Sequence, residues 1–259
     1  MSDLPKRPRT RPDLAVLRRG PGEVQIGIHP EHALVVGELP EAFVDELLGL
    51  DGRHTVTELG ERVEKRGEDP AEFTELLRSL DDVGLIDRGQ PERRIAVSGD
   101  GELADVIRSL VDDAKDPDLT IVTDFPAPEL VTDLMSARAP HLAVRAREGV
   151  GVIGPLVLPG RTACTTCVDL HRTDTDDRWP AVAAQLIAKP APADRVLATA
   201  TGAMAVTQAL LIADFVRGGG LTPPTWNGTI ELRPAVGTTS QRSWHPHPDC
   251  ACAAHNMAW

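Results

Sequence analysis

Tyrosine is absent from these 259 residues, and aromatic side chains make up only 3% of them. With many Ala, Arg, Asp, Gly and Pro, that scarcity fits GC-rich codon usage and bears on no mechanism. Cysteine is rare too: there are four, all after residue 160. No pattern of basic residues, apolar stretch and small-residue cleavage site opens the chain, so a reducing cytoplasm is the expected compartment. Long hydrophobic runs are missing as well. The most apolar helical stretch, AMAVTQALLIADFV, is broken by Gln208 and Asp214 and reads as too short to cross a bilayer. Positive charge is in deficit, at 27 Lys and Arg against 39 Asp and Glu and a net charge of −12. That balance argues against nucleic acid or an anionic membrane as partner and favours a basic peptide or protein face.

What is present suffices for one core or two, with 41% hydrophobic residues. Residues 1–20, with Lys6, Arg7, Arg9 and Arg11 among prolines, read as a flexible arm. VQIGI and ALVVGEL, separated by HPEH, read as a hairpin. Three helices follow between Pro40 and Gly89, with Phe73, Leu76, Leu77 and Leu80 at helical spacing on the third, and GLIDRG closes as a short strand. Residues 21–90 therefore form a winged-helix-like unit. From Arg93 the pattern becomes α/β: RRIAV, a helix at 102–114, LTIVTDF, a helix at 128–139 and HLAVRA imply a parallel sheet with right-handed crossovers. A polar loop at 172–180, a small-residue helix at about 198–217 and two strands near 229–244 complete residues 91–259.

Cys164 and Cys167 form a C-x-x-C, and Cys250 and Cys252 a C-x-C. Four thiolates fill a tetrahedral Zn(II) shell and leave no position for water, which is a structural site. A redox dithiol and a catalytic metal are the alternatives, and the dithiol leaves the second pair unexplained. His245, His247 and His255 are alternative ligands or donors to the site, or residues of a surface loop. Gly99, Gly101 and Ala104 have the spacing of a G-x-G-x-x-A phosphate turn, with Asp124 as a candidate ribose ligand. Asp100 and Glu102 would repel a pyrophosphate there, and a tight turn without nucleotide is the favoured reading. Asp174, Asp176 and Asp177 are at once a possible Mg(II) loop and an ordinary charged loop. Trp179, Trp226, Trp244 and Trp259 read as packing anchors.

The stretch GVGVIGPLVLPGRTACTTCVDLHRTDTDDRWP with the closing RSWHPHPDCAC resembles ThiF/MoeB-type, ubiquitin-activating-enzyme-like proteins. It is most similar to the cyclodehydratase C components of actinobacterial thiazole/oxazole-modified peptide (TOMM) biosynthesis. LLGLDGRHTVTELGERV resembles the PqqD-like leader-peptide recognition element that precedes such domains. The resemblance implies a winged-helix-like peptide-recognition domain followed by a truncated, Rossmann-like ThiF-type domain. In it Cys164, Cys167, Cys250 and Cys252 hold a structural zinc. It also implies a leader peptide added as a strand beside residues 33–39 and the helix at 70–82, with a YcaO-type ATP-dependent cyclodehydratase as partner and a homodimer as a possible assembly. Only about one helix separates the glycine turn from LTIVTDF, where the family has further strands carrying adenylate-binding residues. ATP binding and adenylation by this chain are therefore not expected, and the implied role is a non-catalytic scaffold. The alternatives are an ATP-dependent adenylyltransferase and a regulatory protein that retains both folds.

Overall fold

The computed structural model describes residues 3–31, 33–89, 92–187, 189 and 194–252; His255 and Trp259 lie outside them. The chain divides into two compact units, residues 1–91 and 92–259.

In the first unit, β1 (Val16–Gly20), β2 (Glu23–Ile26) and β3 (Leu34–Val36) form an antiparallel sheet in that order. Alternation along β2 turns Val24 and Ile26 inward. Three helices pack with it: α1 (Glu41–Leu48), α2 (Val56–Glu64) and α3 (Pro70–Asp82). Each start is written locally. Pro40 precedes α1, Thr55 and Glu58 close a capping box on α2, and the Asp69 carboxylate accepts from the Ala71 N–H ahead of Pro70 on α3. Phe43 and Phe73 meet edge to face at 5.0 Å in a core completed by Val44, Leu47, Leu59 and Leu77.

Residues 3–20 do not form the flexible arm expected of them. Arg9 bridges to Asp51, Thr10 bridges to Ile86, and β1 adds a third strand to the hairpin. The Thr10 N–H donates to the Leu50 carbonyl and the Arg11 N–H to the Leu85 carbonyl, both at 3.0 Å, while Arg9 pairs with Asp87. Proline and arginine content signals solvation but is silent on main-chain pairing, which is what holds this segment. The closing strand expected in GLIDRG is reduced to the single bridge at Ile86.

The second unit is built on a six-stranded sheet in sequence order: β4 (Ile95–Ser98), β5 (Leu119–Thr123), β6 (His141–Arg147), β7 (Val150–Val157), β8 (Gly228–Arg233) and β9 (Thr238–Ser243). Only β4, β5 and β6 are parallel, joined through α4 (Glu102–Leu110) and α5 (Pro128–Ser136). The expectation of a parallel sheet fails from β6 onward because Glu148 and Gly149 both take left-handed φ, 54° and 77°, and close a tight hairpin with no room for a crossover. α4 stops at Leu110, short of residue 114. Instead, Asp113 bridges to Ile95 and its carboxylate accepts from the Val97 N–H, so this segment covers the outer edge of β4.

The stretch expected as a polar loop at 172–180 is bounded by helices, α6 (Thr165–Thr173) and α7 (Trp179–Ala184). α8 (Arg195–Val216) begins earlier than its apolar stretch suggests, and at 22 residues it is long and apolar enough to cross a membrane, contrary to the sequence reading. It is nevertheless a core helix, with Leu197, Ala205, Ala209 and Ile212 buried against the sheet and α4. Gly151 has to be glycine, since a Cβ there would lie 2.1 Å from the Thr201 hydroxyl of α8.

Asp118, just before β5, accepts from Arg94 ahead of β4 at 2.8 Å and from Arg217 after α8. The Arg94 hydrogen bond, with help from Arg217, lowers the Asp118 carboxyl to about 2. A depressed carboxyl stabilises the fold above its unfolded value and loses that contribution as pH falls toward 2. Asp118→Asn is expected to cost about 1 kcal/mol at pH 7, discounted for partial exposure to water. The difference from wild type should vanish between roughly pH 4 and pH 2 in urea unfolding curves.

Candidate metal centre and strand-end cavities

The cysteines are delivered by two anchored turns. After β7, the buried Thr162 hydroxyl donates to the Leu156 carbonyl and accepts from the Leu158 N–H, both at 2.8 Å. The Asn227 side-chain carbonyl accepts from the Ala163 N–H at 2.7 Å. This sets Cys164 at the N-cap of α6 and Cys167 in its first turn. On the other side, the Trp244 N–H donates to the Asn227 carbonyl and its indole N–H to the Thr229 hydroxyl, and the His247 carbonyl accepts from the Cys250 N–H.

The Sγ atoms lie 3.8 Å apart for Cys164 and Cys167, 3.6 Å for Cys164 and Cys250, and 3.5 Å for Cys167 and Cys252. A disulfide needs about 2.05 Å, so no pair is bonded. Four sulfurs held at about 2.3 Å around one tetrahedral ion stand about 3.8 Å from one another, which is the spacing found. The residues present therefore fit a tetrahedral metal ion. Electrostatics points the same way. A hydrogen bond from the Cys164 thiol, with one from the His247 N–H, lowers the Cys167 thiol. Its partner Cys164 is driven up, and burial pushes Cys250 to about 12. One thiolate forms readily and the others are resisted; a bound cation removes that resistance.

The histidines stand beside the sulfur cluster rather than in it. His171, Asp174 and His247 offer ligand atoms within 4.8 Å of one another. Their hydrogen bonds, however, fix where the protons are. His247 Nδ1 accepts from the Asp249 N–H at 3.1 Å, so its Nε2 carries the proton and donates to Asp174 at 3.0 Å. His171 Nε2 donates to the His245 carbonyl. The Mg(II) reading of this stretch fails because its carboxylates serve separate partners. Asp174 takes His247, Asp176 accepts from the Arg178 N–H, and Asp177 pairs with the Arg178 guanidinium.

The glycine turn lies at the ends of β4 and β5. Gly99 has φ 121°, Gly101 has φ 91° and precedes α4, and Ala104 is buried. A Cβ on Gly99 would lie 2.0 Å from the Thr123 hydroxyl, and Arg108 donates to the Gly99 carbonyl at 2.6 Å. Gly99 thus makes room for a neighbouring strand. The cavity beside it, of about 240 Å³, is lined by Gly99, Asp100, Thr123, Asp124 and Lys189, so a carboxylate stands where a pyrophosphate would enter.

A second cavity of about 450 Å³ borders the first and is lined by Phe125, Arg145, Thr165, Asp169, Leu170 and Trp179. Arg145 is absent from the sequence-level site residues. Its signal in HLAVRAR is an arginine set between the apolar Val144 and Ala146 of a mostly buried strand.

Comparison with protein-family models gives no match, and neither does comparison with curated proteins. Solved structures do share the fold. A heterocyclase in complex with substrate and cofactor superimposes with a TM-score of 0.73 over 95% of this chain at 16% identity. The heterocyclase TruD gives 0.72 over 96%, also at 16% identity. This chain spans only 39% and 43% of those two chains. Escherichia coli MccB with MccA gives 0.59 over 95% of this chain and 99% of MccB, at 12% identity.

The purified protein is expected to carry one metal ion per chain by elemental analysis. Cys164→Ser should lose it and lower the thermal midpoint of the second unit by roughly 10 °C or more, as loss of a folding-coupled metal does.

Proposed function

We propose that this chain is a peptide-binding scaffold that brings a ribosomally made precursor peptide to a separate YcaO-type cyclodehydratase for azoline formation, and performs no chemistry itself. The observation that supports this reading is the fold match to two heterocyclases, one of them in complex with substrate and cofactor. It takes in 95–96% of this chain but about two fifths of the heterocyclase chains.

The peptide's place would be the outer edge of β3, where main-chain groups are open to strand addition and Leu34 and Val35 are exposed. The exposed side of α3 would supply side-chain contacts, as the family resemblance implies. Tethering substrate in this way raises its concentration at the catalytic partner without an active site in the scaffold. The four cysteines would hold Zn(II). With four thiolates the shell is closed, so the ion would fix the chain's last strands and supply no Lewis-acid position.

A second reading rests on MccB, which this chain matches over nearly its whole length and which has been crystallised with AMPCPP and MccA. On that reading the glycine turn would hold a nucleotide and the chain would adenylate a peptide. Thr123 packed on Gly99, and Asp100 in the cavity wall, weigh against it. ATP–pyrophosphate exchange dependent on a peptide would favour the adenylating reading over the scaffold.

Peptides encoded beside the gene are expected to bind the full-length protein, measured by fluorescence anisotropy. Leu34→Asp combined with Val35→Asp, on two exposed positions, should weaken that binding at least about tenfold with little change in folding. If none of those peptides binds, the scaffold reading falls.

A further inference from the structure

The second unit answers most of its arginines with carboxylates: Arg93 with Asp214, Arg94 and Arg217 with Asp118, Arg233 with Glu231. Arg145 is treated otherwise. It stands on β6 between the buried Val144 and Ala146. Its guanidinium lies 4.3 Å from the centroid of the Phe125 ring, and its Nε donates to the Asp124 carbonyl at 3.3 Å. Among the described residues no carboxylate comes within ion-pair distance of it. The side chain is half-buried; desolvation pushes it down to about 10, and the Asp169 and Asp124 charges offset only part of that.

Its neighbours add to the excess of positive charge. Arg147, two residues along the strand, lies 5.7 Å from the same Phe125 ring and donates to the Lys189 carbonyl. Arg172 is lowered by burial as well and stacks on Trp179 at 4.7 Å. A guanidinium held away from water without a counter-ion destabilises a fold, and a cleft is where such a group has a use.

Arg145 faces the cavity of about 450 Å³, whose walls include Phe125, Val131 and Leu170 and whose hydroxyls come from Thr165 and Thr166 in the first turn of α6. The guanidinium sits over the Phe125 ring, and its planar fork suits a flat, two-oxygen acceptor. Asp169 shares the wall, one of its oxygens taken by the Trp179 indole N–H, and leaves the cavity suited to a single negative charge rather than to a phosphate dianion. The remaining apolar surface suits a short aliphatic chain.

We propose that this cavity binds a carboxylate carried on a short apolar group, with Arg145 as its counter-ion. The ligand is either a small free acid or the C-terminal residue of a peptide; both present the same chemistry. The site belongs wholly to the second unit and stands whether or not the β3 edge binds a leader peptide.

The test is titration of the full-length protein, followed by calorimetry and tryptophan fluorescence, with four probes: hexanoate, N-acetyl-Leu-Leu as free acid, its C-terminal amide, and inorganic phosphate. Saturable binding is expected for the two acids, with the amide and phosphate at least tenfold weaker; the tighter of the two acids identifies the source. Arg145→Met should weaken acid binding at least tenfold while leaving the thermal midpoint equal or higher, because a half-buried charge with no ion-pair partner among the described residues is removed. Arg145→Lys, which keeps the charge and loses the fork, should retain binding several-fold weaker than wild type. Equal binding of amide and acid, no saturable binding of either acid, undiminished binding by Arg145→Met, or a lowered midpoint for that variant would each overturn the proposal, the last by making Arg145 a structural residue.

Discussion

Four sulfurs within 4.8 Å of one another, three pairs of them at 3.5–3.8 Å, cannot all ionise unaided, and the second unit is arranged around that conflict. A tetrahedral cation would turn mutual repulsion into four bonds, and would do so between segments 86 residues apart in sequence. Between the two cysteine pairs lie α6, α7, α8 and the β8–β9 hairpin. A link across them removes much of the freedom of that long loop in the unfolded chain. The polar supports of the site follow the same logic. Asn227, with a left-handed φ of 49°, accepts from Ala163 through its side chain and from Trp244 through its carbonyl, so one residue sets both cysteine-bearing turns. His247 supplies an N–H to Cys167 and a carbonyl to Cys250 while its ring is occupied with Asp174.

Features whose cause is local were legible in the sequence. The first and third helices of the first unit announce themselves through Pro40 and through Asp69 with Pro70, and apolar spacing such as Phe73, Leu77 and Leu80 names core that forms. The cysteine pairs were legible because ligand spacing is itself local, and only their meeting in space needed the fold. What escaped depends on partners far along the chain. β1 reads VLRRG, polar enough to pass for a tail, and becomes a strand because β2 presents an edge to it. The switch from parallel to antiparallel pairing hangs on two residues, Glu148 and Gly149, in a turn whose handedness composition does not reveal.

The glycine turn shows why a motif underdetermines chemistry. A glycine without a Cβ admits whatever comes closest, and G-x-G-x-x-A spacing does not say whether that is a phosphate or a protein group. At Gly99 it is the Thr123 hydroxyl from the adjacent strand. Arg108 then reaches the Gly99 carbonyl, so a cation that could have met a ligand is committed to the backbone. The turn has the glycine spacing of a nucleotide-binding loop, and its closest partners are protein groups. Shape alone does not decide the chemistry, because charge matters as much, and the cavity beside this turn is lined by Asp100 and Asp124 as well as by Lys189.

Arg145 is the converse case, a residue with no motif whose environment is out of balance. Asp118 sits between two arginines and is lowered to about 2, as expected of a carboxylate that is matched inside the fold. Arg145 moves in the opposite sense, its pKa falling because burial outweighs every carboxylate near it. Both departures follow from the same electrostatics, but only the first stabilises the protein. A scaffold under selection for folding alone would place Met or Leu at that position on β6, against Phe125, and lose nothing in packing. Retaining a cation there stabilises the chain only when an anion enters from outside, so the cost to the free protein becomes selectivity for a carboxylate over its neutral amide.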